Sequence, residues 1–74
     1  MTMAQFTHAQ YEQLERAILD GSRVVFRRRG IEYVVVPDRL RQLQGRETIE
    51  ARRPYTGDEI NFFLDEIDSF EVVR

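Results

Sequence analysis

The chain contains no cysteine and no lysine. Without cysteine it has no disulfide framework, no thiolate metal site and no thiol nucleophile. No apolar run approaches the ~20 residues that span a bilayer. The N-terminal stretch has neither a basic start nor an apolar segment, so we expect no secretory signal. Together these absences favour a reducing, cytoplasmic setting with no membrane partner.

Because lysine is absent, all 11 basic residues other than the single histidine are arginine. The planar arginine fork pairs in bidentate fashion with carboxylate or phosphate. The formal net charge of −2 argues against a dedicated nucleic-acid binder. The charge is uneven, since residues 21–54 hold nine arginines and four acids (net +5) and residues 55–74 hold one arginine and six acids (net −5). These opposite halves can neutralise each other within the fold, between subunits or across a ligand.

At 74 residues the chain is expected to form a single domain over residues 1–74. A domain of this size buries little apolar surface, so dimerisation would help to stabilise it.

The first element is predicted to be a helix over residues 7–20. Thr7 and Gln10 have the spacing of a capping box, and Phe6 and Tyr11 have that of a hydrophobic staple. Gly21 is suited to the left-handed conformation that ends a helix.

After Gly21 the apolar period changes to two, which predicts strands over residues 23–28 and 31–36 joined by an Arg-Gly turn. The pattern places Phe26 opposite Tyr33, Val24 opposite Val35, and Arg27 opposite Glu32 on the other face. Pro37 is expected to end the second strand because it cannot donate to the ladder.

The spacing of Leu40 and Leu43 predicts a helical turn closed by Gly45. Three further strands are predicted over residues 47–53, 59–64 and 70–73. The fold class is therefore α+β, mainly β: an N-terminal helix on a strongly bent five-stranded antiparallel sheet, as in a small SH3- or Sm-like barrel. The expected core consists of Phe26, Tyr33, Ile49, Phe62, Leu64 and Ile67, covered by Leu14 and Ile18.

Nothing in the sequence indicates an enzyme. His8 is expected at the helix surface, with no visible nucleophile or orienting partner. The acids after residue 64 lack the spacing of a calcium loop, so we expect no metal site and no cofactor. Their simplest interpretation is a solvated strand edge.

Two arginine clusters are the candidate binding residues: Arg28, Arg29, Arg52, Arg53 and, beside them, Tyr55. If the turns after the first and third strands are neighbours, these residues frame one basic and aromatic surface. That composition suits a nucleotide or single-stranded nucleic acid, with weak binding. The alternative is that the arginines only keep a hairpin turn soluble.

About two thirds of the chain resembles the small β-barrel of WYL domains, modules of bacterial regulators. The resemblance covers residues 23–73 and rests on matches to short motifs: Val36-Pro37 with Leu40, then Ala51, then Phe62, Leu64, Asp65 and Ile67. The family's tryptophan-tyrosine-leucine triad aligns with Glu47, Thr48 and Ile49, and its usual arginine aligns with Glu66. The resemblance implies a five-stranded Sm-like barrel in a non-enzymatic sensing module.

The competing function is a protein-interaction or homo-oligomerisation module with no small-molecule or nucleic-acid ligand. It predicts an exposed apolar stripe, for which the candidates are Val25, Val34, Val36 and Phe63.

Overall fold

The computed structural model describes residues 6–73. Along the chain they form α1 (His8–Asp20), β1 (Arg23–Arg28), β2 (Ile31–Leu43), β3 (Arg46–Arg52), β4 (Glu59–Phe63), a 3₁₀ turn (Leu64–Glu66) and β5 (Ser69–Val73). Residues 1–5, on which the expectation about a secretory signal depends, lie outside the described residues.

Helix α1 begins with the predicted capping box. The Thr7 N–H donates to Oε1 of Gln10 at 2.8 Å, and the Gln10 N–H donates to Oγ1 of Thr7 at 3.2 Å. Gly21 ends the helix with φ 68°. These two signals therefore fix the helix within one residue of its predicted bounds.

The first hairpin has the predicted register. Val24 pairs with Val35, Phe26 with Tyr33, and Arg27 with Glu32. The turn uses Arg29 and Gly30, whose φ angles of 53° and 76° are both positive, as a two-residue type I′ turn requires.

The prediction that Pro37 ends the second strand was wrong. Strand β2 continues to Leu43, and its register with β3 shifts at a bulge between Pro37 and Arg39. Pairing with β1 ends at Val35, so the missing N–H of Pro37 falls where β1 needs no donor. A bulge bends a strand, so the two halves of β2 can serve different neighbours.

The helical turn predicted for residues 38–45 was also wrong. Leu40 pairs with Ile49, and a second tight turn at Gln44-Gly45, with φ 54° and 76°, leads into β3. Cross-strand pairing with β3 decides the conformation of this segment, and the spacing of its leucines does not.

The five strands form one antiparallel sheet in the order β4-β3-β2-β1-β5. Within residues 6–73 this sheet does not close into a barrel, because β4 and β5 share no ladder. They are linked instead by the 3₁₀ turn, after which the Asp68 N–H donates to the Arg27 carbonyl at 2.7 Å. The expectation of a helix on a five-stranded, mainly β domain is confirmed.

The core lies between the sheet and α1, and most of its predicted members are buried. Phe26, Ile49 and Ile67 are inaccessible, and Phe62 retains only 1% of its surface, which confirms the predicted phase of β4. Tyr33 and Ile18 are half-buried at the margin. Further residues outside the predicted core list are also buried: Phe6, Ala17, Val24, Val35 and Thr48.

A hydrogen bond between Tyr11 and Glu47 ties the helix to β3. The Tyr11 hydroxyl donates to the Glu47 carboxylate. This bond, with partial burial and the nearby negative charge, raises the pKa of Tyr11 to about 12. Glu47 on β3 therefore anchors α1 to the sheet.

Among residues 6–73 there is no helix that could span a bilayer, and α1 has 13 residues where about 20 are needed.

Candidate functional site

An exposed aromatic ring and an arginine meet beside the loop between β3 and β4. Tyr55 lies in this loop with 84% of its surface exposed. The Arg23 guanidinium carbon lies 5.5 Å from the centroid of the Tyr55 ring. Arg23 begins β1, so the contact joins two segments that are distant in the sequence. We call the surface formed by Arg23, Arg52, Arg53 and Tyr55 the Tyr55 surface.

The loop that carries Tyr55 is held by backbone hydrogen bonds. The Arg53 N–H donates to the Asp58 carbonyl at 2.8 Å, and the Gly57 N–H donates to the Arg53 carbonyl at 2.9 Å. Gly57 in this turn has φ 78°, a left-handed conformation that glycine adopts without steric cost. The ring is therefore presented by an ordered turn, which limits the entropy lost when a ligand stacks on it.

The charges on the Tyr55 surface are only partly neutralised. Arg52 pairs with Asp38, with 3.0 Å between Nη1 and Oδ1. For Arg23 and Arg53, residues 6–73 offer no acidic side chain within ion-pair distance. The Arg23 guanidinium beside the exposed Tyr55 ring, with Arg53 two residues before that ring in the sequence, can bind an anion that also carries an aromatic group.

A second arginine environment lies at the β1–β2 hairpin. Arg28 shares the inner face of β1 with Val24 and Phe26, and its guanidinium carbon lies 5.0 Å from the ring centroids of both Tyr33 and Phe62. Its neighbour Arg29 is exposed and approaches Glu66 at 3.8 Å. The Arg29 N–H also donates to the Asp68 carboxylate at 3.0 Å.

The structure does not bring the two predicted clusters together. Arg28 and Arg29 lie at the far end of β1, whereas Tyr55 contacts Arg23 at its start. The two ends are separated by roughly 17 Å, at about 3.3 Å per strand residue. The surface combining Arg28, Arg29, Arg52, Arg53 and Tyr55 is therefore not assembled, and each cluster has to be considered separately.

The length of β2 explains this separation. Its first half pairs with β1 and its second half, from Val36 onward, pairs with β3. Arg52 at the end of β3 therefore lies opposite Val36, next to the start of β1. The sequence prediction assumed that β2 is a short strand, about as long as β1, which pairs with β1 and β3 along the same residues. In that arrangement the turns after β1 and β3 would have been neighbours.

Arg23 and Tyr33 are the site residues that the sequence prediction missed. For Arg23 no local signal existed, because its contact with Tyr55 is long-range. For the contact between Arg28 and Tyr33 the sequence did contain a signal. Alternation from Val24 and Phe26 places Arg28 on the core-facing side, where the predicted Phe26–Tyr33 pair already stood.

Most other arginines form ion pairs with neighbouring strands or turns. Arg39 and Arg41 both reach Glu50, at 2.7 and 3.1 Å, and the hydrogen bond from Arg39 helps to hold the pKa of Glu50 below its ordinary value. Arg46 pairs with Asp65, and this hydrogen bond raises the pKa of the Arg46 guanidinium. The Arg46–Asp65 pair joins the basic half of the sequence to the acidic half, whereas the two pairs with Glu50 lie within the basic half.

The residues considered for catalysis or metal binding are dispersed. His8 is exposed and lies 2.8 Å from Glu12 on the helix surface. Across residues 6–73 no three acidic or histidine side chains are grouped so that they could hold a metal ion.

The predicted apolar stripe is reduced to two valines. Val25 and Val34 are cross-strand neighbours on the outer face, and Val34 is 44% exposed. Val36 is buried, and the Arg46 guanidinium carbon lies 3.7 Å from the centroid of the half-buried Phe63 ring. The stripe as predicted is therefore not present.

Comparison with known proteins identified no relative of this chain. No family model matches the chain, and neither a curated protein nor a solved structure matches it. The resemblance to WYL domains remains a prediction from the quoted motifs.

Proposed function

We propose that this protein is a small non-enzymatic binding module whose Tyr55 surface holds a nucleotide or a short single-stranded nucleic acid. The observation that carries the proposal is the contact of Arg23 with the exposed Tyr55 ring. An exposed ring gives a base a face for stacking, and the neighbouring arginines attract its phosphates.

The charges support a weak and salt-sensitive interaction. Arg23 and Arg53 are the uncompensated cations of this surface within residues 6–73. The charge of Arg52 is partly neutralised by its ion pair with Asp38. Two or three phosphate contacts on a chain of net charge −2 are consistent with a dissociation constant on the order of 100 μM at physiological salt.

The strand order supports, as a finer proposal, a module of the SH3- or Sm-like class with WYL-like motifs. Strand β1 lies between β2 and β5, the long β2 is bent at its bulge, and a 3₁₀ turn links β4 to β5. The cytoplasmic setting and the bacterial regulatory context are part of this proposal.

The test is an NMR titration of the ¹⁵N-labelled chain with hexathymidylate at 50 and 200 mM salt. The proposal expects amide shift changes centred on residues 21–24 and 52–58, which weaken at the higher salt. An unchanged spectrum at 50 mM salt with excess oligonucleotide would contradict it.

A second candidate function is homo-oligomerisation or binding to a protein. Two observations favour it: β4 and β5 each keep an edge without a strand partner among residues 6–73, and Val73 on β5 is 46% exposed. Unpaired edges invite strand addition. Light scattering coupled to size-exclusion chromatography, from 10 μM to 1 mM, measures this directly, and a constant monomer mass would exclude self-association in that range.

A further inference from the structure

A groove lies at the β1–β2 hairpin. It has a volume of about 340 Å³ and is lined by Arg28, Arg29, Ile31, Tyr33 and Glu66. It lies on the other face of β1 from the Tyr55 surface, because Arg23 and Arg28 are an odd number of residues apart. A ligand bound here would be independent of the proposed function.

The Arg28 guanidinium in this groove is held in position by aromatic rings. Its carbon lies 5.0 Å from the centroids of Tyr33 and Phe62, and Nη2 donates to the Tyr33 hydroxyl at 3.3 Å. No buried side-chain nitrogen in residues 6–73 lacks a hydrogen-bond partner, so the remaining Arg28 donors are reachable from solvent. A guanidinium fixed in this way can receive a planar oxyanion without first losing side-chain entropy.

The charges in the groove favour a single negative charge on the ligand. Arg28 has no acidic side chain within ion-pair distance among residues 6–73, whereas Arg29 lies 3.8 Å from Glu66. Two arginines and one glutamate leave one positive charge for the ligand. The Asp68 carboxylate, which accepts the Arg29 N–H, adds further negative potential. A phosphate dianion would be repelled by both acids, and a carboxylate less so.

We propose that this groove binds a monocarboxylate that carries an apolar group. The carboxylate lies on the Arg28 fork, and the apolar group packs against Ile31, which is 56% exposed beside it. Covering the exposed Ile31 side chain removes apolar surface from water, which favours binding. The planar Arg28 guanidinium fixes the orientation of the carboxylate.

Benzoate is the probe, because it joins a carboxylate to an apolar ring. Benzamide is its neutral match, and inorganic phosphate tests the preference for one negative charge. The ¹⁵N-labelled full chain is titrated at constant ionic strength, with the arginine side-chain Nε–Hε signals recorded as well. Benzoate should saturate shifts of Arg28 Nε and of the amides of residues 28–33, with a dissociation constant on the order of 10 mM for so small a ligand.

Benzamide should produce no saturating shift, and phosphate should bind at least fivefold more weakly than benzoate. Equal binding of benzoate and benzamide, or shifts centred away from residues 28–33, would overturn the proposal. So would phosphate binding as tight as that of benzoate.

Variants make the assignment specific. Arg28→Gln should weaken benzoate at least tenfold, whereas Arg16→Gln, which removes an equal charge from the exposed side of α1, should leave it unchanged. Glu66→Gln should raise the affinity for phosphate at least threefold. If Arg28→Gln does not fold, Arg28→Lys keeps the charge without the fork and should still bind benzoate several-fold more weakly. Wild-type affinity in the folded variant would refute the role of Arg28.

Discussion

Arg23 lies over the exposed ring of Tyr55, with 5.5 Å between the guanidinium carbon and the ring centroid. The contact links the first residue of β1 to the loop after β3, and it gives the molecule an aromatic surface flanked by cations. Arg28 has a different role, because its guanidinium lies over the core rings of Tyr33 and Phe62 at the opposite end of β1. Arginines that look alike in the sequence therefore occupy two different environments.

The first prediction tests stacking and charge separately on the Tyr55 surface. Tyr55→Ala should weaken hexathymidylate binding by roughly 1–3 kcal/mol without changing the dependence of affinity on salt, because stacking releases no counterions. Arg53→Gln should flatten the log–log salt slope by about 0.7, the contribution of one phosphate contact on a single strand. Both are measured by NMR titration at four salt concentrations.

Arg16→Gln is the control for this prediction, since it makes the same charge change on α1, away from the loop. A loss of slope in this control equal to that in Arg53→Gln would show that only net charge matters, and the Tyr55 surface would lose its special role.

The second prediction concerns pH. The hydrogen bond from Tyr11 to the Glu47 carboxylate favours the protonated phenol, and the pKa of Tyr11 is raised from 10.0 to about 12. Because the folded-state pKa lies above the unfolded one, the stabilisation is complete below about pH 10 and is lost as the pH rises towards 12. A ¹³Cζ-tyrosine titration of the folded protein should place the Tyr11 midpoint near 12.

Glu47→Gln should return that midpoint towards 10, because it removes the carboxylate that accepts the bond. Tyr11→Phe assigns the signal and should abolish the associated loss of stability above pH 10. A midpoint unaffected by Glu47→Gln would mean that the bond does not set the titration.

The third prediction concerns the start of α1. Thr7→Ala should lower the free energy of unfolding by about 1 kcal/mol, since it leaves the Gln10 N–H without its capping hydroxyl. Thr7→Ser keeps a hydroxyl and should retain most of the stability. Urea denaturation followed by far-ultraviolet circular dichroism measures both, and identical midpoints for Thr7→Ala and wild type would show that the cap contributes nothing.

The fourth prediction concerns the core. Phe62 is 1% exposed and its ring meets Phe26 at a tilt and Tyr33 edge-on, so Phe62→Ala should destabilise the protein by about 3–5 kcal/mol. A domain of this size has little more stability than that to lose, so the variant should be largely unfolded at room temperature. One-dimensional proton NMR reports this as a loss of methyl dispersion.

Phe63→Ala is the matched control for Phe62→Ala. Its ring is half-buried on the opposite face under Arg46, so the loss should be clearly smaller. Equal destabilisation by the two substitutions would contradict the assignment of Phe62 to the core face.

Elements whose signals are local could be predicted from the sequence. The spacing of Thr7 and Gln10 determined where α1 begins, and Gly21 determined where it ends. The alternation around Arg29-Gly30 determined the register of the first hairpin, because a slip of one residue would have exposed Phe26 and Tyr33. These contacts join residues close in sequence, so propensity and pattern agree with the final fold.

The course of residues 38–43 depends instead on pairing between strands. Leu40 and Leu43 fit one side of a helical turn, but a strand from Arg46 onward offers a ladder that a short helix cannot match. The extension of β2 past Pro37 then moved β3 along the sheet, which placed the Tyr55 loop at the start of β1 and away from Arg28 and Arg29. No local pattern encodes that displacement, because it depends on where a bulge bends one strand and on which half of that strand each neighbour pairs with.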